Sequence, residues 1–215
     1  GLAALLLGDE QGVREIQRER GLKSTSPWFR VSVEQLTMMV DWLKGDFPSA
    51  LRRMRRIEQM VDGSDALTTQ LLISVSGLID NGQLSAAESA IDRLPPTLSA
   101  DATALDRWNY EGERVRLLAH IAVARGRSQQ ATQDLGRWLE RVPPSVAVND
   151  SGQARRVAFR EVVNRANLVD FLAARGRIDA ANKHAVRVPE LARLNGTPVI
   201  RGFAERTRLS LSMAT

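Results

Sequence analysis

Val123-Ala124-Arg125-Gly126-Arg127-Ser128-Gln129-Gln130-Ala131 is the stretch whose reading decides the fold. An apolar-periodic segment runs into a glycine, and a small residue follows five positions later. Glycine tolerates the left-handed conformation that ends a helix in a sharp turn. An alanine in the first turns of the next helix lets two backbones approach closely, so the pair describes a tight αα-hairpin. The pattern recurs at Trp42-Leu43-Lys44-Gly45 to Ala50, Ile79-Asp80-Asn81-Gly82 to Ala87 and Ala173-Ala174-Arg175-Gly176 to Ala181. It stands once more at Leu5-Leu6-Leu7-Gly8, where Val13 replaces the alanine.

Apolar residues continue at helical spacing on both sides of each glycine. Val115, Leu118, Ala119, Ala122 and Val123 form one stripe before Gly126, and Leu135, Trp138, Leu139 and Val142 form another after it. No segment alternates with period two over a strand length, so no sheet is expected. The spacing predicts helices near 2–7, 9–20, 32–44, 46–61, 65–80, 83–93, 101–125, 127–141, 153–175, 177–193 and 199–212. Ser32 with Gln35 and Ser85 with Glu88 fit capping boxes. Pro27, Pro95, Pro96, Pro143, Pro144 and Pro198 fall between the predicted helices. The distance between successive turn glycines grows from 37 to 44 and then 50 residues. The later repeats must therefore carry longer helices or loops, and the stretches 95–101 and 143–152 are the expected loops.

Composition narrows the chemistry. The 215 residues include no cysteine and two histidines, His120 and His184, which argues against disulfides, thiolate catalysis and zinc sites. No metal and no cofactor is expected. Residues 1–100 hold 11 basic and 13 acidic groups, whereas residues 101–215 hold 19 and 12, so the positive charge lies in the second half. Almost all of it is arginine. Such a bias suits an acidic or nucleic-acid partner, and equally a GC-rich coding bias. Arg52, Arg53, Arg55 and Arg56 point around more than one helix face, as a solvated surface does. Few aromatic residues are interleaved for base stacking, no phosphate-loop motif is present, and direct nucleic-acid contact is not expected. The opening apolar run is too short for a membrane span, and Gly1 suggests a fragment that begins inside a larger structure.

Gly45, Asp46, Phe47, Ala50 and Leu51, with Gly82, Leu84, Ala87, then Gly126, Ala131, then Gly176, Ile178, Ala181, resemble the turn and core positions of tetratricopeptide repeats. The resemblance implies an all-α superhelical array of antiparallel helix pairs, read as a single repeat domain over 1–215. The successions ending Val123-Ala124-Arg125-Gly126-Arg127 and Ala173-Ala174-Arg175-Gly176-Arg177, with Glu190 to Phe203, resemble the helical sensor region of large ATP-binding LuxR-family transcription activators of the maltose-activator type. That resemblance implies a cytoplasmic, ligand- or partner-binding sensory module of a bacterial regulator. An assembly scaffold is the alternative, and an enzyme is not expected.

In a tetratricopeptide array the first helix of each pair lines the concave face. Counting back from each turn glycine, the resemblance implies ligand-facing positions at Gln35, Met39, Trp42, Thr69, Ser76, Ile79, Glu113, Arg116, His120 and Asp170. Core packing is the competing reading for Met39, Trp42 and Ile79, and it is the reading for Trp138. Arg116 and His120 stand four residues apart on one helix face, where their side chains are neighbours. A cation beside an imidazole would favour an anionic group of a protein, peptide or small-molecule effector. The competing reading pairs Arg116 with Glu113 and packs His120 between helices.

Overall fold

The computed structural model describes Glu15 and residues 26–60, 63–141 and 151–214. Among these residues the secondary structure is entirely helical. The helices expected at 2–7 and 9–20, the turn at Gly8 and most of the loop 143–152 lie outside the described residues. The chain divides into two compact units, Gly1–Leu94 and Pro95–Thr215.

The first unit contains α1 (Pro27–Leu43), α2 (Phe47–Met60), α3 (Asp65–Asp80) and α4 (Leu84–Asp92). Gly45 and Gly82 both adopt positive φ, 75° and 70°. At Gly82 the amides of Gly82 and Gln83 donate to the carbonyls of Ile79 and Leu78, which satisfies the last groups of α3 in a Schellman turn. Each turn folds the next helix back on the last, α1 packing on α2 and α3 on α4, and α1 also packs on α3. Ala50, Met54 and Ile57 form the buried stripe of α2, and Ala87, Ala90 and Ile91 that of α4. The arginine run of α2 is partly turned inward. Arg53 donates to Asp41 at 2.6 Å and to Glu34 at 3.1 Å, both on α1, while Arg55 is exposed.

The second unit contains α5 (Ala104–Ala124), α6 (Ser128–Leu139), α7 (Ser151–Ala173), α8 (Ile178–Ala185), α9 (Val188–Asn195) and α10 (Pro198–Ala214). Thr103 caps α5, accepting from the Asp106 amide at 3.1 Å. Gly126 and Gly176 repeat the Schellman turn at φ of 76° and 69°. Helix α7 is the hub, packed against α5, α6, α8, α9 and α10. It is buried almost all round from Arg160 to Val169. Ala119, Ala122, Ala131, Leu135, Leu168, Val169, Leu172 and Ala181 share one core, so both turn alanines of this unit meet in it. The first increase in glycine spacing lies in a loop. Helices α2 and α3, between Gly45 and Gly82, total 30 residues, and α4 and α5, between Gly82 and Gly126, total 30 as well, which leaves the added residues in the non-helical stretch 93–103. Helices α6 and α7 total 35, so longer helices contribute to the second increase.

Several expected boundaries are corrected. Helix α1 begins at Pro27, not near Ser32, because proline fits the first helical position, where no amide hydrogen is needed. Ser32 therefore lies within the helix rather than at its N-cap. Pro198 opens α10 in the same way. Gln83, not Ser85, occupies the N-cap of α4. The single helix expected over 177–193 is two, α8 and α9. Pro189 explains the break: its ring would clash with the carbonyl four residues back, at Ala185, where α8 ends.

Candidate binding site

Helices α5, α7 and α10 bring their polar side chains together. Asn167 on α7 is the junction. Its Nδ2 donates to the Val163 carbonyl at 2.9 Å, which fixes the amide and leaves Oδ1 as acceptor. Oδ1 meets His120 Nε2 on α5 at 3.2 Å and accepts from an Arg206 nitrogen on α10 at 3.0 Å. His120 is therefore the tautomer with its proton on Nε2, and Nδ1 carries the lone pair. Burial, reinforced by the charge of Arg116, lowers the His120 pKa to about 4, so the ring is neutral near pH 7. Phe171 packs against it edge to face, 5.2 Å between centroids.

Asp170, one turn beyond Asn167, accepts from Ser210 Oγ at 2.6 Å and pairs with Arg206 at 2.9 Å. The Arg206 guanidinium also lies 4.8 Å from the centre of the Phe203 ring. With its side chain 45 % exposed, Arg206 carries the network to the surface.

Arg116 and Glu113 extend the same face of α5 inward. Arg116 grips Glu113 with two hydrogen bonds, 3.1 Å from Nε and 2.6 Å from a terminal nitrogen. Glu113 is buried and also binds Arg160 of α7. Burial alone would raise the Glu113 pKa, but the Arg160 and Arg116 charges and their hydrogen bonds outweigh it and hold the carboxyl at about 2. Beside this triad, Asn164 donates to the Gly112 carbonyl at 3.0 Å. A second buried pair, Glu161 with Arg165 at 2.7 Å, lies farther along α7.

The expected site residues separate accordingly. Glu113, Arg116, His120 and Asp170 belong to one region of the second unit. Arg116 is bound to Glu113 and His120 is a neutral ring packed between helices, the arrangement of the competing reading. In the first unit Gln35 donates to Ser74 at 3.2 Å, and Ser76 Oγ donates to the Ile73 carbonyl. Thr69 Oγ1 donates to the Asp65 carbonyl, and Ile79 is half-buried. The side chains of Met39 and Trp42 lie outside the described residues. Trp138 is core, packed against Trp108 with the rings tilted by 38° and their centroids 4.5 Å apart.

Counting from the turn glycines misses Asn167, Arg206 and Ser210. No local signal marks Asn167, which shares the stretch 162–169 with Asn164 and Arg165. Among the described residues no group of three or more His, Asp or Glu could hold a metal ion, and no helix is long and apolar enough to cross a membrane. The chain matches no family model, no curated protein and no solved structure.

Proposed function

We propose that this chain is a binding module, built as a superhelical array of the tetratricopeptide kind, and that the face shared by α5, α7 and α10 takes a polar partner. The observation that carries this reading is the network itself. His120, Asn167, Asp170, Arg206 and Ser210 come from three helices and meet at one place, with Arg206 and Asp170 reaching solvent. Asp170 and Arg206 neutralise each other and the imidazole is uncharged, so the face offers matched donors and acceptors rather than net charge. That suits a peptide backbone or a hydroxyl-rich effector, whose own groups come in donor and acceptor pairs. The resemblance to LuxR-type activators supports a place in a cytoplasmic bacterial transcription regulator, with DNA contact left to other parts of the protein. An assembly scaffold is the second reading, supported by the hairpin architecture alone.

The test is a thermal-shift screen of peptides and small polar effectors, followed by calorimetry on the hits. Arg206→Ala should weaken a true ligand by about 1.5–3 kcal/mol, the worth of a hydrogen bond to a charged group. Hits that bind this variant as well as the parent would remove the face from consideration. A nucleotide-binding module upstream and a helix-turn-helix downstream in the encoded protein would separate regulator from scaffold.

A further inference from the structure

The first unit holds a groove separate from the α5–α7–α10 face. Its hairpins pack through α1 and α3, and α2 also meets α3, but among the described residues no backbone contact joins α2 to α4. The two second helices stand apart, and a cavity of about 250 Å³ opens between them. Leu51 and Met54 of α2 and Leu78 of α3 give it an apolar floor, while Ala86, exposed on α4, offers only a methyl group on the opposite wall. Glu58 of α2 and Arg93, just after α4, form an ion pair across it.

Two polar side chains on the rim are uncommitted. Glu58 stands one turn beyond Arg55, at the spacing of a helical ion pair, yet its carboxylate goes to Arg93, which also donates to Ser89 Oγ at 3.1 Å. Arg55 is exposed and, among the described residues, has no ion pair or hydrogen-bond partner. Half-buried Gln83, at the N-cap of α4, makes no side-chain cap, so its amide has a donor and an acceptor to offer. A buried apolar floor thus lies beneath one open cation and one open amide.

We infer that the α2–α4 groove is a docking site for an extended segment of a protein partner, in which a leucine-sized apolar side chain stands beside a carboxylate. The volume falls below the roughly 300–1,000 Å³ of small-molecule and cofactor pockets, and suits a single side chain. From Leu51 to Glu58 the α2 wall rises about 10 Å, a length that an extended chain crosses in about three residues. The apolar side chain covers Leu51, Met54 and Leu78, the carboxylate beside it meets the Arg55 guanidinium, and Gln83 takes a backbone amide of the segment. Nucleic acid is a poor fit, because one open cation and a lining without aromatic residues supply neither a phosphate track nor a stacking platform.

The test uses the whole chain, isotope-labelled at its methionine methyl groups and followed by NMR, with the acetylated and amidated tetrapeptide Gly-Leu-Glu-Gly as probe. The Met54 methyl, in the groove floor, should shift saturably with peptide. Replacing the peptide's leucine by alanine should weaken binding by about tenfold or more, since three buried carbons are lost. Arg55→Gln should weaken it by about two- to fivefold, the worth of one exposed ion pair. Arg52→Gln, which removes the same charge from outside the groove, should bind as the parent does. Ala86→Phe fills the groove from an exposed position and should abolish the shift while leaving the fold intact. An unmoved Met54 methyl, equal affinities in the Arg55 and Arg52 variants, or full binding by Ala86→Phe would each overturn the inference. So would free isovalerate shifting the methyl as strongly as the peptide does, which would make the occupant a small aliphatic acid. A shift produced by protein concentration alone would replace the partner with a second copy of the chain.

Discussion

The indole of Trp138 on α6 lies directly on the backbone of Gly112 on α5, so close that a β-carbon there would collide with the ring and come within 3.0 Å of Arg160 Cδ. A glycine in mid-helix is usually a weakness of up to about 1 kcal/mol relative to alanine. Here it makes room for the Trp108–Trp138 pair and lets Asn164 reach the Gly112 carbonyl. Gly112→Ala should therefore destabilise, because overpacking of about 1–3 kcal/mol exceeds the gain in helix propensity. Gly136 and Gly202, also helical, have open space around them. Alanine at either should stabilise by up to about 1 kcal/mol. Chemical denaturation of the three variants checks the contrast, and a Gly112 variant as stable as the other two would contradict the packing.

The residue five positions after each of the turn glycines Gly45, Gly82, Gly126 and Gly176 is fully buried. Ala50, Ala87, Ala131 and Ala181 are each 0 % exposed. In all four the amide donates to the carbonyl of the residue just after the glycine. Leucine at Ala87 or Ala131 has no space to enter and should lower stability by about 1–3 kcal/mol. Two variants that melt with the parent would show that these positions do not set the approach of paired helices.

Those alanines and glycines were legible because their signal is local. A left-handed turn and a close helix approach are each dictated by a few adjacent residues, and the hairpins follow. The break between α8 and α9 was equally local, at Pro189, but an otherwise continuous apolar period hides it. Thr103 with Asp106 carries a capping spacing in the same way. What could not be read was the polar interior of α7. Arg160, Asn164 and Asn167 look like an ordinary solvated face in sequence, and only the packing of α5, α6 and α10 around that helix gives them partners. Arg116 shows the same limit, since its availability depends on Glu113 being buried beside Arg160.

Glu113 holds two guanidinium groups in a place where neither has full access to water. The side chains of Arg160, Arg116 and Glu113 are 10 %, 17 % and 6 % exposed. Glu113→Gln leaves two buried cations without their shared carboxylate and should destabilise by about 3–5 kcal/mol. Arg116→Ala should do less harm, because Glu113 keeps Arg160 and the lost group stands at the outer edge. A Glu113→Gln variant as stable as the parent would mean that another anion compensates the pair.

Acid should unfold the second unit in two stages, and the sign of each follows from which protonation state the fold favours. His120 titrates at 6.5 when unfolded and at about 4 when folded, because burial and Arg116 disfavour its charged form. Its neutral form is thus the native one, and stability falls as pH drops through the interval from 6.5 to about 4. At about 1.4 kcal/mol for each pH unit that separates the folded from the unfolded value, the loss reaches roughly 3 kcal/mol. Burial lowers the His184 pKa as well, so it acts in the same direction. Glu113 begins lower. Its carboxyl titrates at 4.5 unfolded and about 2 folded, so its contribution is complete above 4.5 and is lost as pH falls toward 2. Denaturant unfolding measured from pH 7 to pH 3 should show the first decline well before carboxylates protonate. His120→Gln, which keeps a donor for Asn167 and cannot be protonated, should flatten the curve between pH 6.5 and 4.5, leaving the slope due to His184 and the later decline intact. If that variant instead follows the parent throughout, His120 is not the group that acid charges first, and its place between α5, α7 and α10 is wetter than the packing of Phe171 and Asn167 implies.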